Sequence, residues 1–349
     1  MPKLSVVVPV YREAASIRRN FEVLKAVLDA HAEEFSYEII LVNDGSPDES
    51  LTVLESLHRD YPSTTGIVSF LRNFGQVAAI LAGLQASSGS CAAVISADLQ
   101  DPPELIPVMF RKWSEGWKTV VGVRGARYDS LIVKAPSRLF YSLMRRHALP
   151  SLPATGFDFF LIDQTVKERL VARPEPNGFL QGEILYASGP VHEIVYTRRE
   201  REAGDSGWSS AKKMKYFVDG FVGYSFAPIR FITVAGIGLF CLGILASVGL
   251  VIQRLWFGTR AVGWTSVMIM MMLLHGTEML MIGVLGEYLW RTLDQTRSRP
   301  LFIVDYQKPP ANGYPANRLQ DDRSCEPGSD RATESGTLPD QSGKLLPGP

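Results

Sequence analysis

Four polar or acidic stretches, each directly after an apolar run, carry the side chains of this chain that could do chemistry. They are residues 9–13, Asp44, residues 72–76 and residues 96–100. Carboxylate and amide oxygens are the ligands that Mg²⁺ and Mn²⁺ prefer, and such side chains can also hold a nucleotide. One stretch alone is a weak signal, because loops that join strands to helices are usually polar. Four of them in succession indicate a single polar crevice.

The elements that must position these stretches alternate between short apolar strands and amphipathic helices. Segments with apolar residues at helical spacing separate the runs, so the chain is predicted to be α/β, with a mostly parallel sheet covered on both faces. The carboxyl ends of parallel strands share one edge, where ligands bind, so the four stretches should meet there. The predicted buried strands cover residues 4–10, 38–43, 66–70, 91–95 and 119–123.

Two helix starts are predicted beside the crevice. Ser46 has the pattern of an N-cap, with Pro47 at N1 and Glu49 at N3, and residues 101–104 repeat this pattern with Asp101 as the cap. Asp101 is therefore interpreted as a structural residue.

Composition and loop sequence exclude several classes of protein. The 36 Lys and Arg residues balance 36 Asp and Glu residues, which argues against a general nucleic-acid binder because such proteins carry a basic excess. The three cysteines are scattered and support neither a disulfide framework nor a zinc site. The loop after the first strand lacks glycine, so a dinucleotide fingerprint is excluded, and the chain contains no P-loop.

Two long apolar segments predict a membrane hairpin after the α/β domain. Residues 231–253 contain no charged residue, and residues 264–290 are similar in length; a span needs roughly 20 helical residues. Lysines and arginines flank both outer ends, which predicts a multi-pass inner (plasma) membrane protein with both termini in the cytoplasm. The predicted organisation is a cytosolic domain over 1–210, interfacial helices over 211–230, the two spans, a cytosolic return segment over 291–307 and a disordered tail over 308–349.

Residues 4–305 resemble the family 2 glycosyltransferases of GT-A (Rossmann-like) fold. Within that family they resemble the polyprenyl-phosphate glycosyltransferases with two C-terminal membrane helices, the group of dolichol-phosphate mannose synthase and the bacterial GtrB and ArnC enzymes. The matching strings are residues 8–13, 42–46, 73–76, 98–104, 285–288 and 299–300.

The resemblance implies a membrane-bound inverting enzyme that depends on Mg²⁺ or Mn²⁺ and forms a homo-oligomer. It would transfer a sugar from a nucleotide-sugar, expected to be a UDP-sugar, to polyprenyl (undecaprenyl) phosphate, giving a lipid-linked sugar for cell-envelope glycosylation. Two alternatives stay open: a transferase with a polysaccharide acceptor, and a weakly active or inactive membrane scaffold.

The resemblance also implies roles for individual residues. Asp98 and Gln100 would hold the metal, and Asp98 and Asp158 would be catalytic. The residues implied to bind the nucleotide-sugar are Pro9, Tyr11, Glu13, Asp44, Asn73, Gln76, Ala97 and Asp98. The candidates for binding the acceptor or the diphosphate are Arg124, Arg127, Arg201, Ser206 and Lys212.

One departure from the family pattern lies in the metal motif. The family has Asp-x-Asp where this chain has Ser96, Ala97 and Asp98. A hydroxyl is a poorer metal ligand than a carboxylate, so the expected outcomes are an active enzyme with weaker metal dependence or an inactive one. The rest of the pocket matches, which favours the active enzyme.

Overall fold

The computed structural model describes residues 1–125, 141–142, 144–146, 149–175, 178–199, 227–257, 263–297 and 299–311. Strands and helices alternate through the first part of this range, as the sequence predicts. The strands are β1 (Lys3–Val10), β2 (Ser36–Asn43), β3 (Thr65–Phe70), β4 (Cys91–Val94), β5 (Thr119–Arg124), β6 (Phe159–Asp163), β7 (His192–Tyr196) and β8 (Val304–Lys308). The helices are α1 (Ile17–Asp29), α2 (Ser50–Asp60), α3 (Gln76–Ala86), α4 (Leu105–Ser114), α5 (Gln164–Ala172), α6 (Leu180–Ser188), α7 (Ala227–Phe257) and α8 (Trp264–Thr296).

All eight described strands form one sheet in the order β7-β5-β6-β4-β1-β2-β3-β8. The central strands β4, β1, β2 and β3 are parallel to one another, and β5 pairs in parallel with β7. Strand β6 runs antiparallel to β4 and β5, and β8 runs antiparallel to β3. The predicted α/β class with a mostly parallel sheet is therefore confirmed.

Hydrophobic cores lie on both faces of the sheet, because successive side chains of a strand point to opposite faces. On β1, Val6 and Val8 join the core that includes α1 and α4. Val7, between them, joins the core that includes α3 and α6. Helix α3 approaches β1 so closely that a Cβ at Gly83 would lie 2.3 Å from the Val7 side chain.

The start of each helix beside the crevice differs from its prediction. Helix α2 begins at Ser50, and the Ser46 hydroxyl instead accepts a hydrogen bond from the Arg12 N–H at 3.2 Å. Helix α4 begins at Leu105, so Asp101 lies too early to cap it. Both predicted caps are wrong, because hydrogen bonds to residues distant in the sequence engage these side chains.

Helices α7 and α8 contain the two predicted membrane spans. Within the part of the chain that the structure describes, no helix combines the length and the apolar character needed to cross a membrane. The membrane hairpin is therefore not confirmed and stays a prediction. Residues 211–226 of the predicted interfacial helices and residues 312–349 of the predicted tail lie outside the described residues.

Candidate functional site

The loop after β2 places Asp44 at the carboxyl edge of the sheet, where it organises the loop after β3. The Asp44 carboxylate accepts hydrogen bonds from Phe74 N at 2.7 Å, Gly75 N at 3.0 Å and Asn73 Nδ2 at 3.0 Å. Burial raises the pKa of Asp44 above its ordinary value, and the two backbone hydrogen bonds offset this only in part. Asp44 thus joins two of the four predicted stretches.

The loop after β1 closes over the same turn. Arg12 has a left-handed backbone, with φ of 57°, and the N–H groups of residues 12–14 donate to the side chains of Ser46, Ser50 and Asp48. Tyr11 is left 40% exposed, and the Arg12 guanidinium lies 5.3 Å from its ring centroid. An exposed aromatic ring held on a fixed loop is suited to contact a planar base.

Gly45 is required where these loops meet. Its φ is +58°, and a Cβ there would lie 2.3 Å from the main-chain carbonyl carbon of Arg72. Only glycine combines a left-handed conformation with so close an approach of another backbone. The turn after β2 is therefore fixed against the loop after β3 by sterics as well as by hydrogen bonds.

The loop after β4 presents its polar side chains on one side. Ser96, Asp98 and Gln100 are half-buried, whereas Ala97 and Leu99 between them are buried. The Asp98 Oδ1 atom accepts hydrogen bonds from Ser96 Oγ at 2.8 Å and from Gln100 N at 3.2 Å. Leu99 has a φ of 46°, which is unusual for a residue with a side chain and marks backbone strain at this loop.

A chain of polar contacts leads from this loop to the strands on the other side of β4. Ser96 Oγ lies 3.3 Å from Asp101 Oδ2, and the Tyr196 hydroxyl donates a short hydrogen bond to Asp101 Oδ1. Tyr196 is also hydrogen-bonded to Arg124, which lies opposite it in the β5–β7 register. Arg124 Nη2 then donates to Asp158 Oδ2 at 2.7 Å.

The electrostatics of this chain keep Arg124 charged. Burial disfavours the guanidinium, but the carboxylates of Asp158 and Asp101 and the hydrogen bond with Tyr196 outweigh it and raise the pKa of Arg124. Asp158 is more than half exposed and also lies 3.4 Å from Gln181 Nε2. A guanidinium fixed at this edge can donate charge-assisted hydrogen bonds to an anionic group.

The donors of the β4 loop fit a divalent cation that is shared with an anionic ligand. Asp98 and Gln100 offer a carboxylate and an amide oxygen, and Ser96 offers a hydroxyl; all three are oxygen donors of the kind that Mg²⁺ and Mn²⁺ accept. Among the described residues, no group of three or more His, Cys, Asp or Glu side chains could hold a metal ion alone. Mg²⁺ and Mn²⁺ also accept oxygens from water and from an anionic ligand.

The structure brings most of the predicted site residues to this edge. Asn73 and Gln76 are exposed at the start of α3, and the carboxylate of Glu13 accepts a hydrogen bond from Ser16 Oγ at 2.6 Å. Pro9 lies near the end of β1 and Ala97 lies in the loop after β4. The Ala97 carbonyl accepts a hydrogen bond from Asn20 Nδ2 at 2.9 Å. The acceptor candidates that lie outside the described residues are Arg127, Arg201, Ser206 and Lys212.

Sequence reasoning missed the roles of Asp101 and Tyr196. Asp101 is 1% exposed and Tyr196 is 7% exposed, so both belong to the buried support of the site. Asp101 and Tyr196 are distant in the sequence and meet only because β7 pairs with β5. That pairing has no local sequence signal. A tyrosine on a short strand is an ordinary core residue by its pattern alone.

The chain is similar to a known family and to several solved structures. The family model described as glycosyl transferase family 2 matches residues 5–170. Among solved structures, the mannosyltransferase PcManGT from Pyrobaculum calidifontis in complex with GDP-Man and Mn²⁺ has a TM-score of 0.47 at 15% identity, covering 64% of each chain. Glucosyl-3-phosphoglycerate synthase from Mycobacterium tuberculosis, in complex with Mn²⁺, UDP and phosphoglyceric acid, has a TM-score of 0.42 at 18% identity, covering 58% of this chain and 72% of that one.

Three relatives match most of this chain and most of their own length, at higher sequence identity than these solved structures. The chain is 35% identical to the uncharacterized glycosyltransferase YkcC of Bacillus subtilis (strain 168), over 86% of this chain and 92% of that protein. It is 32% identical to a prophage bactoprenol glucosyl transferase homolog of Escherichia coli (strain K12), over 86% and 98%. It is 32% identical to the bactoprenol glucosyl transferase of Shigella phage SfX, over 88% and 100%.

Proposed function

Because the chain belongs to glycosyl transferase family 2, and is therefore a glycosyltransferase, we propose that it transfers a sugar from a nucleotide-sugar to polyprenyl phosphate. The proposed donor is a UDP-sugar, and the product is a lipid-linked sugar with the anomeric centre inverted. Relatives named bactoprenol glucosyl transferase, matched over nearly their whole length, support the polyprenyl acceptor.

One observation carries the proposal: the Asp44 loop, the Asp98 loop and the Arg124–Asp158 pair lie at neighbouring strand ends of one sheet edge. Asp44 follows β2 and Asp98 follows β4, on either side of the end of β1. Arg124 ends β5 and Asp158 precedes β6. A donor held over β1 and β2 would direct its diphosphate toward Asp98 and its sugar toward Asp158.

The base and ribose of the donor would contact the exposed groups of the first three loops. Tyr11, Asn73 and Gln76 offer an exposed ring and two amides. Asp44 is 3% exposed and its carboxylate is engaged by residues 73–75. Its proposed part in donor binding is therefore to fix these loops, in addition to any contact with the base after the loop adjusts.

The departing nucleoside diphosphate needs compensation for its developing negative charge. Asp98 and Gln100 are the residues that would hold a divalent cation, which would supply positive charge to the diphosphate oxygens. Ser96 orients Asp98 through its 2.8 Å hydrogen bond. A preorganised carboxylate of this kind costs little reorganisation when charge develops.

Attack by the acceptor phosphate does not require strong general-base catalysis. A phosphate monoester with a second pKa of about 6 is largely a dianion near neutral pH, so it is already a nucleophile. Arg124 would attract and orient this dianion, and Asp158, paired with Arg124 at 2.7 Å, would fix the guanidinium until the acceptor arrives. The barrier is then lowered mainly by orientation and charge stabilisation.

We also propose that α7 and α8 anchor the enzyme in the inner membrane with the sheet domain in the cytoplasm. Large apolar side chains on these helices are exposed, among them Val234, Leu242 and Leu245 on α7 and Met279 and Leu289 on α8, each more than 60% exposed. Exposed apolar surface of this extent marks a membrane or protein contact. Such an anchor would keep the site close to a lipid acceptor.

The proposal is tested by release of nucleoside diphosphate from a panel of UDP- and GDP-sugars, using the full chain in detergent. Release should require added polyprenyl phosphate and should fall with EDTA. Asp98→Asn should abolish it, whereas Glu115→Gln should leave it unchanged. Glu115 follows α4 at the end opposite the crevice, where it pairs with Lys112 on the surface, so this variant controls for loss of a carboxylate.

Two outcomes would overturn the proposal. One is that, for every donor in the panel, the release of nucleoside diphosphate is the same with and without polyprenyl phosphate. The other is an Asp98→Asn variant that is as active as Glu115→Gln. Direct titration of Mn²⁺ by its paramagnetic signal in the presence of the nucleoside diphosphate checks the metal assignment separately from turnover, since binding should be lost only with Asp98→Asn.

A further inference from the structure

The segment that follows α8 returns to the sheet and covers its edge beside the donor loops. Strand β8 pairs antiparallel with β3, with Ser69 opposite Tyr306 and Phe70 opposite Val304. The register shifts between these two pairs, and such bulges re-aim side chains beside functional sites. At its far end the segment is held by a hydrogen bond from Ala311 N to Pro62 O at 2.7 Å.

Aromatic side chains connect this segment to the loop that holds Asp44. The Phe302 ring stacks on Phe70, with centroids 5.0 Å apart and an interplanar angle of 16°. The rings of Phe70 and Phe74 form a T-shaped pair, with centroids 5.7 Å apart. The backbone N–H of Phe74 donates to Asp44 Oδ1 at 2.7 Å.

A backbone contact reinforces the connection. Leu71 N donates to Ile303 O at 3.2 Å, immediately after β3 ends. On its outer side, the loop carries the Arg72 guanidinium 4.6 Å from the Phe74 ring centroid. Phe74 therefore contacts both Arg72 and Phe70, and residues 71–75 are connected to a segment that lies more than two hundred residues later in the chain.

We propose that Phe302 is a positioning residue for donor binding. It acts through Phe70 and Phe74 on the backbone donors that hold Asp44, so the segment after α8 completes the donor site. The proposal rests on the proposed function, because that function places residues 73–76 beside the donor.

The segment after α8 also offers a matched control. Tyr306 lies on β8 but packs against the opposite core, which includes α1 and α2, whereas Phe302 packs against the core that contains Phe70. Phe302→Leu and Tyr306→Leu therefore make the same kind of change on the two faces of one segment. Leucine keeps apolar volume, so both variants should fold.

The experiment combines hydrogen exchange with kinetics on the full chain in detergent. In Phe302→Leu, the amides of Phe74 and Gly75 should exchange roughly two- to tenfold faster, the range expected for losing an aromatic pair. The KM for the nucleotide-sugar should rise by a similar factor while the KM for polyprenyl phosphate stays unchanged. Tyr306→Leu should change neither the exchange rates nor the donor KM. Phe302→Tyr, which keeps an aromatic ring, should have wild-type values of both.

Three results would overturn the proposal: unchanged exchange at Phe74 and Gly75 in Phe302→Leu, equal changes in both leucine variants, or faster exchange with an unchanged donor KM. Failure of the proposed function is distinguishable, because wild-type protein would then consume no nucleotide-sugar. In that case the dissociation constant for UDP replaces the donor KM as the measured quantity. A dissociation constant that Phe302→Leu leaves unchanged would contradict the proposed positioning role of Phe302.

Discussion

Replacement of Tyr196 by phenylalanine tests the buried chain that supports the site. The Tyr196 hydroxyl donates to Asp101 and is hydrogen-bonded to Arg124. Asp101 is 1% exposed, so water cannot replace the lost donor. After the change Asp101 keeps Ser96 Oγ at 3.3 Å and Arg198 Nε at 3.6 Å. A hydrogen bond to a charged group contributes about 1.5–3 kcal/mol.

We therefore expect Tyr196→Phe to lower the free energy of unfolding by about 2–3 kcal/mol. For a domain of this size that corresponds to a fall of about 4–12 °C in the thermal midpoint, measured by calorimetry of the full chain in detergent. Burial raises the pKa of Tyr196, as does the adjacent Asp101, so the phenol keeps its proton and the effect should not vary between about pH 6 and pH 9.

Tyr37→Phe is the matched control for this prediction. Tyr37 also donates a short hydrogen bond to an aspartate, but its partner Asp29 is half exposed. Water can solvate that carboxylate once the hydroxyl is gone, so the loss should be under about 1 kcal/mol. Equal destabilisation in the two variants would refute the argument that burial of Asp101 sets the magnitude.

Two further predictions concern Glu183 and Gly45. Burial, with a smaller contribution from Glu175, raises the pKa of Glu183 to about 7 from 4.5, so the folded chain loses stability as pH rises from about 4.5 to about 7. Glu183→Gln should therefore raise the thermal midpoint more at about pH 8 than at about pH 5, and a gain independent of pH would contradict this. Gly45→Ala should lower the thermal midpoint more than Gly189→Ala. Both glycines have positive φ, but an added Cβ at Gly189 meets no atom within 4 Å. Equal losses would show that the close contact of Gly45 with the loop after β3 does not add to the destabilisation.

The central strands of the fold could be predicted because their signal is local. Residues 4–10 form a continuous apolar run, and the structure places β1 over Lys3–Val10. The predicted strand over 91–95 is β4 over Cys91–Val94. A strand buried on both faces must be apolar throughout, so its position is evident from the sequence alone.

Strand β8 could not be predicted because its reason lies elsewhere in the chain. Its sequence, Val304–Lys308, is short and mixed in polarity, and it forms because β3 has an unpaired edge that needs covering. The same explanation holds for Asp101. Its position before Pro102 and Pro103 has the pattern of a helix cap, but Tyr196 on a distant strand offers a stronger partner.

The arrangement of the candidate site was predicted in part. The positions of Asp44, Asp98 and Gln100 at one sheet edge were predicted, because polar residues directly after buried parallel strands share one edge. Their partners inside the protein were not, since the hydrogen bonds of Asp44 to residues 73–75 depend on the exact path of the β3 loop. The position of Arg124 at the end of β5 agrees with the predicted strand over 119–123, but its pairing with Asp158 depends on the antiparallel insertion of β6.

The central claim is that this chain attaches one sugar to a polyprenyl phosphate at the edge of the sheet defined by Asp98. The most direct measurement is a mass spectrum of the organic phase after incubation of the full chain with undecaprenyl phosphate and the donor that it consumes. We predict an ion for the lipid phosphate plus one sugar with wild type and Glu115→Gln, and only unmodified lipid with Asp98→Asn. Unmodified lipid in every sample, with the sugar recovered in a water-soluble polymer or as free sugar, would contradict the account.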